Sequence, residues 1–143
     1  MKALRFLPVV FCIATTCQAE LPPNAYYELQ EQCPNYLDIK VVSSKTEKHN
    51  AVLDKITYTV KVIKVFRSNP PLKMNSTIKI VDTLFRKNDG DTMILGPAPS
   101  VKLAVNKRLP AYLNLQKDGT YTPAKYGRSF QVDPRPATYN VEK

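Results

Sequence analysis

One histidine and three cysteines limit the chemistry this chain can perform. A thiol nucleophile needs a base beside it. Cys33 and His49 are the pair that sequence order offers, and no local signature joins them. His49 sits in the polar run Ser44–Asn50 and reads as a solvated loop histidine. Asp89 and Asp91 flank Gly90. A calcium loop of the EF-hand type needs further acidic ligands and a terminal Glu, so Asn88–Asp91 reads as a turn. No catalytic residue, metal site or cofactor is expected.

Charge is the feature above background. Lys and Arg number 21 against 12 Asp and Glu, a formal +9. Lys61, Lys64, Arg67, Lys73 and Lys79 crowd the middle, and Lys107-Arg108 follows. These seven form the candidate polyanion-binding set. Outside a cell the matching partner is a sulfated glycosaminoglycan or an acidic matrix surface. On a strand, residues two apart share a face, so Lys61 and Lys64 are expected on opposite faces and the set need not form one patch. Asn75-Ser76-Thr77 is an N-glycosylation sequon, with Asn75 as acceptor.

The location follows from the first segment. Met1–Ala19 has a basic start at Lys2 and Arg5, a short apolar run, and small residues at Cys17 and Ala19. That is the pattern of a secretory signal peptide cut before Glu20. Its apolar run is well short of the ~20 residues of a membrane-spanning helix. No transmembrane segment is expected, and a secreted chain has no nucleic-acid partner. Removal of the segment takes two basic residues and no acidic one, and leaves Cys33 as the single cysteine. No internal disulfide remains, so the hydrophobic core must hold the fold. Cys33 is then a buried small hydrophobe or one half of an intermolecular bridge.

The elements that position these residues are strands. Leu37, Ile39 and Val41 alternate with polar residues, as do Ile56, Tyr58, Val60 and Val62. After Val62 the apolar phase slips by one, which predicts a bulge or strong bend. Further strands are expected at Ile78–Leu84, Val101–Val105, Ala111–Leu115 and Thr120–Ala124, with a hairpin turn at Lys117-Asp118-Gly119. Tyr26–Gln32 carries a weak helical pattern. The expected fold is mainly β, a small five- to six-stranded Greek-key barrel of the OB type. An immunoglobulin-like sandwich is the alternative, but its Cys…Trp…Cys core is absent. The expected divisions are a signal peptide at 1–19, an N-terminal ridge at 20–32, the barrel at 33–132 and a polar tail at 133–143.

These residues together bear a resemblance. Ile56–Ser68, ITYTVKVIKVFRS, is similar to the long second strand of the netrin-like (NTR) domain found in tissue inhibitors of metalloproteinases, down to the Lys64-Val65-Phe66-Arg67 ending. Leu37–Ser44 resembles that family's first strand. Leu103–Lys107 followed by Ala111-Tyr112-Leu113 resembles its loop before a Tyr-Leu strand, and Lys117–Thr120 falls at its hairpin. The resemblance covers about Cys33–Phe130. It implies a secreted, non-enzymatic protein-binding module whose N-terminal ridge contacts an extracellular zinc metalloprotease. Glu20, Leu21, Pro22 and Pro23 are then the protease-contacting residues. The family's inhibitors begin with Cys-Xaa-Cys, and a later cysteine pairs with the counterpart of Cys33. Here the start is Glu20-Leu21-Pro22-Pro23, and the later stretch is Ala124–Arg128, without cysteine.

Overall fold

The computed structural model describes residues 21–86 and 98–136. The expected signal peptide, Glu20 and the expected turn at Asn88–Asp91 lie outside those residues. Within them, α1 (Pro23–Gln32) precedes β1 (Asn35–Lys48), β2 (Leu53–Arg67), β3 (Thr77–Phe85), β4 (Arg108–Leu115) and β5 (Tyr121–Pro123). The strands close into a barrel in the order β1-β2-β3-β5-β4. Every pairing is antiparallel except β3 with β5, which meet in parallel at Ile80 and Tyr121. The fold is a five-stranded, OB-like β-barrel.

Alternation builds its core. Leu37, Ile39 and Val41 of β1 and Ile56, Tyr58, Val60 and Val62 of β2 are fully buried, with Ile80 and Leu113 among those facing them. Each such aliphatic side chain contributes roughly 1.5–3 kcal/mol on burial, enough for this core to hold without a crosslink. Cys33 is buried and free. The phase slip after Val62 is a bulge: Ile39 pairs with Val62 but Asp38 with Lys64, which leaves Ile63 as the extra residue. Two further irregularities separate Tyr36 from Leu37, with Phe66 as the extra residue, and Val41 from Ser43, with Val42 as the extra residue.

Three expectations change. The helix starts at Pro23, earlier than its apolar pattern suggests. Proline suits this first helical position, where a missing N–H leaves no bond unmade. Val101, Leu103 and Val105 alternate but form no strand; Val101 and Val105 are exposed. The Leu103 N–H donates to the Tyr58 hydroxyl at 3.0 Å instead of to a neighbouring strand. Asp133, expected at the head of a polar tail, is buried against the barrel.

Candidate binding faces

β1, β2, β3 and β4 turn one set of side chains outward. Lys40 stands between buried Ile39 and Val41, Lys61 between Val60 and Val62, and Lys79 between Ile78 and Ile80. The register then lines them up. Lys40 is directly opposite Lys61 on β2 and directly opposite Arg108 on β4. Three cations therefore sit in one row across three strands, a span of roughly 10 Å at the usual strand spacing. Lys64 lies in the adjoining row, opposite Asp38. Lys79 continues the face on β3, opposite Thr59 and two residues from the pair of Thr77 with Lys61. The bulge at Ile63 returns Lys64 to the face of Lys61, so the expected opposition between them is lost.

Asp38 is the acid within this face. Arg108 donates to Asp38 Oδ2 from Nε at 2.8 Å and from Nη2 at 2.6 Å. That bond holds the Arg108 guanidinium above its ordinary value while most of its side chain stays exposed. Lys107 follows in the loop beside Val41, where its carbonyl accepts the Val41 N–H at 3.0 Å. Lys73 belongs to the turn before β3: its carbonyl accepts the Ser76 hydroxyl, and Asn75 donates its N–H to Val62 O at 2.7 Å. Asn75 itself is exposed, with a left-handed φ of 66°. Lys40 was not among the residues singled out by sequence. Only the register on β1 identifies it.

Arg67, at the exposed end of β2, ties α1 to the barrel, donating from Nε to Cys33 O at 2.9 Å and from Nη2 to Gln30 O at 2.8 Å and touching Cys33 Sγ at 3.4 Å.

Beyond the basic row runs an aromatic stack. Tyr36 stacks on Phe66 with centroids 4.4 Å apart and on Tyr112 at 4.3 Å. Lys64 Nζ caps Phe66 at 4.9 Å, and Lys125 Nζ caps Tyr112 at 4.2 Å. Cations over ring faces are attracted by the ring quadrupole. The stack ties β1, β2 and β4 together. Burial, with the Tyr36 phenol next, pushes the Tyr112 hydroxyl far above its usual range.

The N-terminal ridge is anchored by a polar cluster. Tyr26 and Gln30, four apart on one face of α1, are buried. Lys125 is fully buried, with its ammonium among Gln30 Oε1, Gln131 O at 2.7 Å and Asp133 Oδ2 at 2.8 Å. Asp133 forms an ion pair with Arg128 at 3.0 Å and donates its N–H to Gln30 Oε1 at 2.7 Å. Arg128 covers the Tyr26 ring at 4.7 Å, and the Tyr26 hydroxyl accepts the Ala98 N–H at 2.7 Å. Burial pulls the Lys125 ammonium below its ordinary value, against the pull of Asp133 in the other direction. Leu21, Pro22 and Pro23 lead into this anchored helix, with both prolines exposed.

Cys33 and His49 are not brought together. They lie beyond opposite ends of the fourteen-residue β1, Cys33 buried beside α1 and His49 exposed in the β1–β2 turn. The Cys33 thiol donates to Gln30 O at 3.3 Å and Asn35 O at 3.4 Å. Among the described residues, no helix is long and apolar enough to cross a membrane. No family model, curated protein or solved structure matches this chain.

Proposed function

We propose that this chain is a secreted, non-enzymatic binding module of the netrin-like kind, and that it holds a sulfated glycosaminoglycan or comparable acidic matrix polymer on its outer β3-β2-β1-β4 face. The observation that carries this reading is the row Lys61–Lys40–Arg108. Like charges directly opposite one another destabilise a sheet; Asp38 answers Arg108, and a bound anion would relieve the facing Lys40 and Lys61. Lys64 and Lys79 widen the face, and Lys73 and Lys107 lie at its loops. The test is calorimetric titration of heparin oligosaccharides into the purified chain at rising salt. Affinity should fall steeply with ionic strength, because exposed charges are screened over about 10 Å at 0.1 M salt. Salt-independent binding, or none at low salt, would refute the reading.

A second reading is favoured by the anchored helix. An inhibitory terminus needs rigidity, because ordering a flexible one consumes binding energy. The Gln30–Lys125–Asp133 cluster and Arg67 supply an anchor to the segment entered by Leu21-Pro22-Pro23. On this reading Glu20–Pro23 contacts an extracellular zinc protease. The mature chain should then inhibit at least one such protease, and one extra residue before Glu20 should weaken inhibition. Equal potency with the extension would exclude action through the terminal amine.

A further inference from the structure

β1 runs on past its partner β4. Residues Asn35–Lys40 pair with β4. Val41 is then held by the next loop, its N–H donating to Lys107 O at 3.0 Å and its carbonyl accepting from Asn106 N at 2.7 Å. From Ser43 to Lys48 the strand pairs with β2 alone among the described residues. Among the described residues its other edge is open. At the far end the His49 N–H donates to Leu53 O at 3.1 Å, so His49 faces β2. Backbone groups alternate sides along an antiparallel strand. The N–H and carbonyl of Ser44, Thr46 and Lys48 therefore point out of the open edge.

We infer that this edge pairs with the same edge of a second copy of the chain, antiparallel, about a two-fold axis through Thr46. In that register Thr46 meets Thr46 of the second copy, and Ser44 meets Lys48 in both directions. Every outward N–H and carbonyl finds a partner. On the alternate positions Lys45 meets Glu47 of the second copy, twice. Within one chain Lys45 and Glu47 already lie 3.1 Å apart with both side chains mostly exposed, so the pair of copies forms a square of alternating charge.

Charge also selects the register. Keeping the outward backbone groups matched allows slips of two residues only. One such slip sets Lys45 against Lys45, and the other sets Glu47 against Glu47. Opposite charges facing across strands favour pairing, and like charges oppose it. An isologous contact of this kind closes at two copies and cannot propagate. The contact is short, at the low end of specific interfaces, so the dimer is weak and concentration-dependent. It joins two outer basic faces into one sheet running β3-β2-β1-β1-β2-β3. It rests on the open edge and its charges, independently of any polyanion.

The test is sedimentation velocity of the full mature chain up to millimolar concentration. The wild type should shift from monomer to dimer. K45E and E47K each create two like-charge pairs and should each weaken dimerisation at least about tenfold. The double variant K45E/E47K should restore it. An equal mixture of K45E and E47K should form a heterodimer although neither pairs with itself. Thr46→Pro should remain monomeric with an unchanged melting curve, since its N–H points away from β2. A wild type that stays monomeric throughout overturns the inference. So does a dimer indifferent to the single reversals, or one that the double reversal fails to restore.

Discussion

Lys125 and Asp82 are the two buried charges whose surroundings matter most, and they differ in how well they are served. Lys125 has three oxygen acceptors and an aromatic ring. Breaking a buried pair costs about 3–5 kcal/mol, and here Asp133 would keep Arg128 alone, which sets the cost at the low end. Lys125→Ala is expected to destabilise the fold by roughly 3 kcal/mol, read from urea denaturation. Hydrogen exchange should quicken first in α1, which loses its Gln30 contact. Asp82 faces inward from β3. Its Oδ1 accepts from Thr83 N at 2.8 Å and from the Ser100 hydroxyl at 3.0 Å, while Oδ2 has no partner among the described residues. Burial, only partly offset by these bonds, raises its carboxyl above the ordinary Asp value. The native state therefore keeps this proton to higher pH than the unfolded chain. Stability falls as pH rises from the ordinary Asp range through the raised native value, and the loss is complete above it. Asp82→Asn should melt close to wild type near pH 4 and progressively above it towards pH 7. A pH-independent difference between the two proteins would contradict this assignment.

At the scale of the elements, the cross-strand row makes a prediction of opposite sign for stability and binding. Lys61→Glu replaces a repulsion across the β1–β2 pair with an attraction. It should stabilise the fold by about 0.2–1 kcal/mol, the range for cross-strand charge pairs, while weakening polyanion binding. A gain in one with a loss in the other is the pattern expected where function holds a local arrangement away from its stability optimum. Thermal melts and calorimetric titration on the same preparation check both signs. The strands that form this face were legible in the sequence because alternation is strong in Leu37–Val41 and Ile56–Val62. The bulge was legible too, as the slip of phase at Ile63. Its consequence was not: only the paired register shows that it carries Lys64 round to the face of Lys61. Alternation misled at Val101–Val105, because a strand is made by a partner's hydrogen bonds. Here the Leu103 N–H goes to a tyrosine hydroxyl.

For the whole molecule, the barrel could be read from strand number, spacing and the absence of other cores. The anchor of α1 could not. Gln30 meets Asp133 across a sequence separation of 103 and Lys125 across 95, and no local pattern encodes so distant a contact. Arg67 binds the C-terminal end of α1 through Gln30 O and Cys33 O, and Lys125 and Asp133 bind the Gln30 side chain. A buried ionic cluster thus docks the helix to the barrel. The charge excess likewise acquires a location. Of the seven basic residues singled out by sequence, Lys61, Lys64, Lys79 and Arg108 share the outer face, and Arg67 also ties down α1. Lys40 completes the row.

The central claim is that polyanion binding depends on this row and not on net charge. Two charge-matched variants separate these on a heparin column. K40E/K61E reverses two members of the row, while K102E/K117E reverses two exposed lysines that lie outside the strands. Both lower the net charge equally. K40E/K61E should elute at much lower salt than wild type, and K102E/K117E should elute close to it. Equal shifts for the two variants would contradict the account.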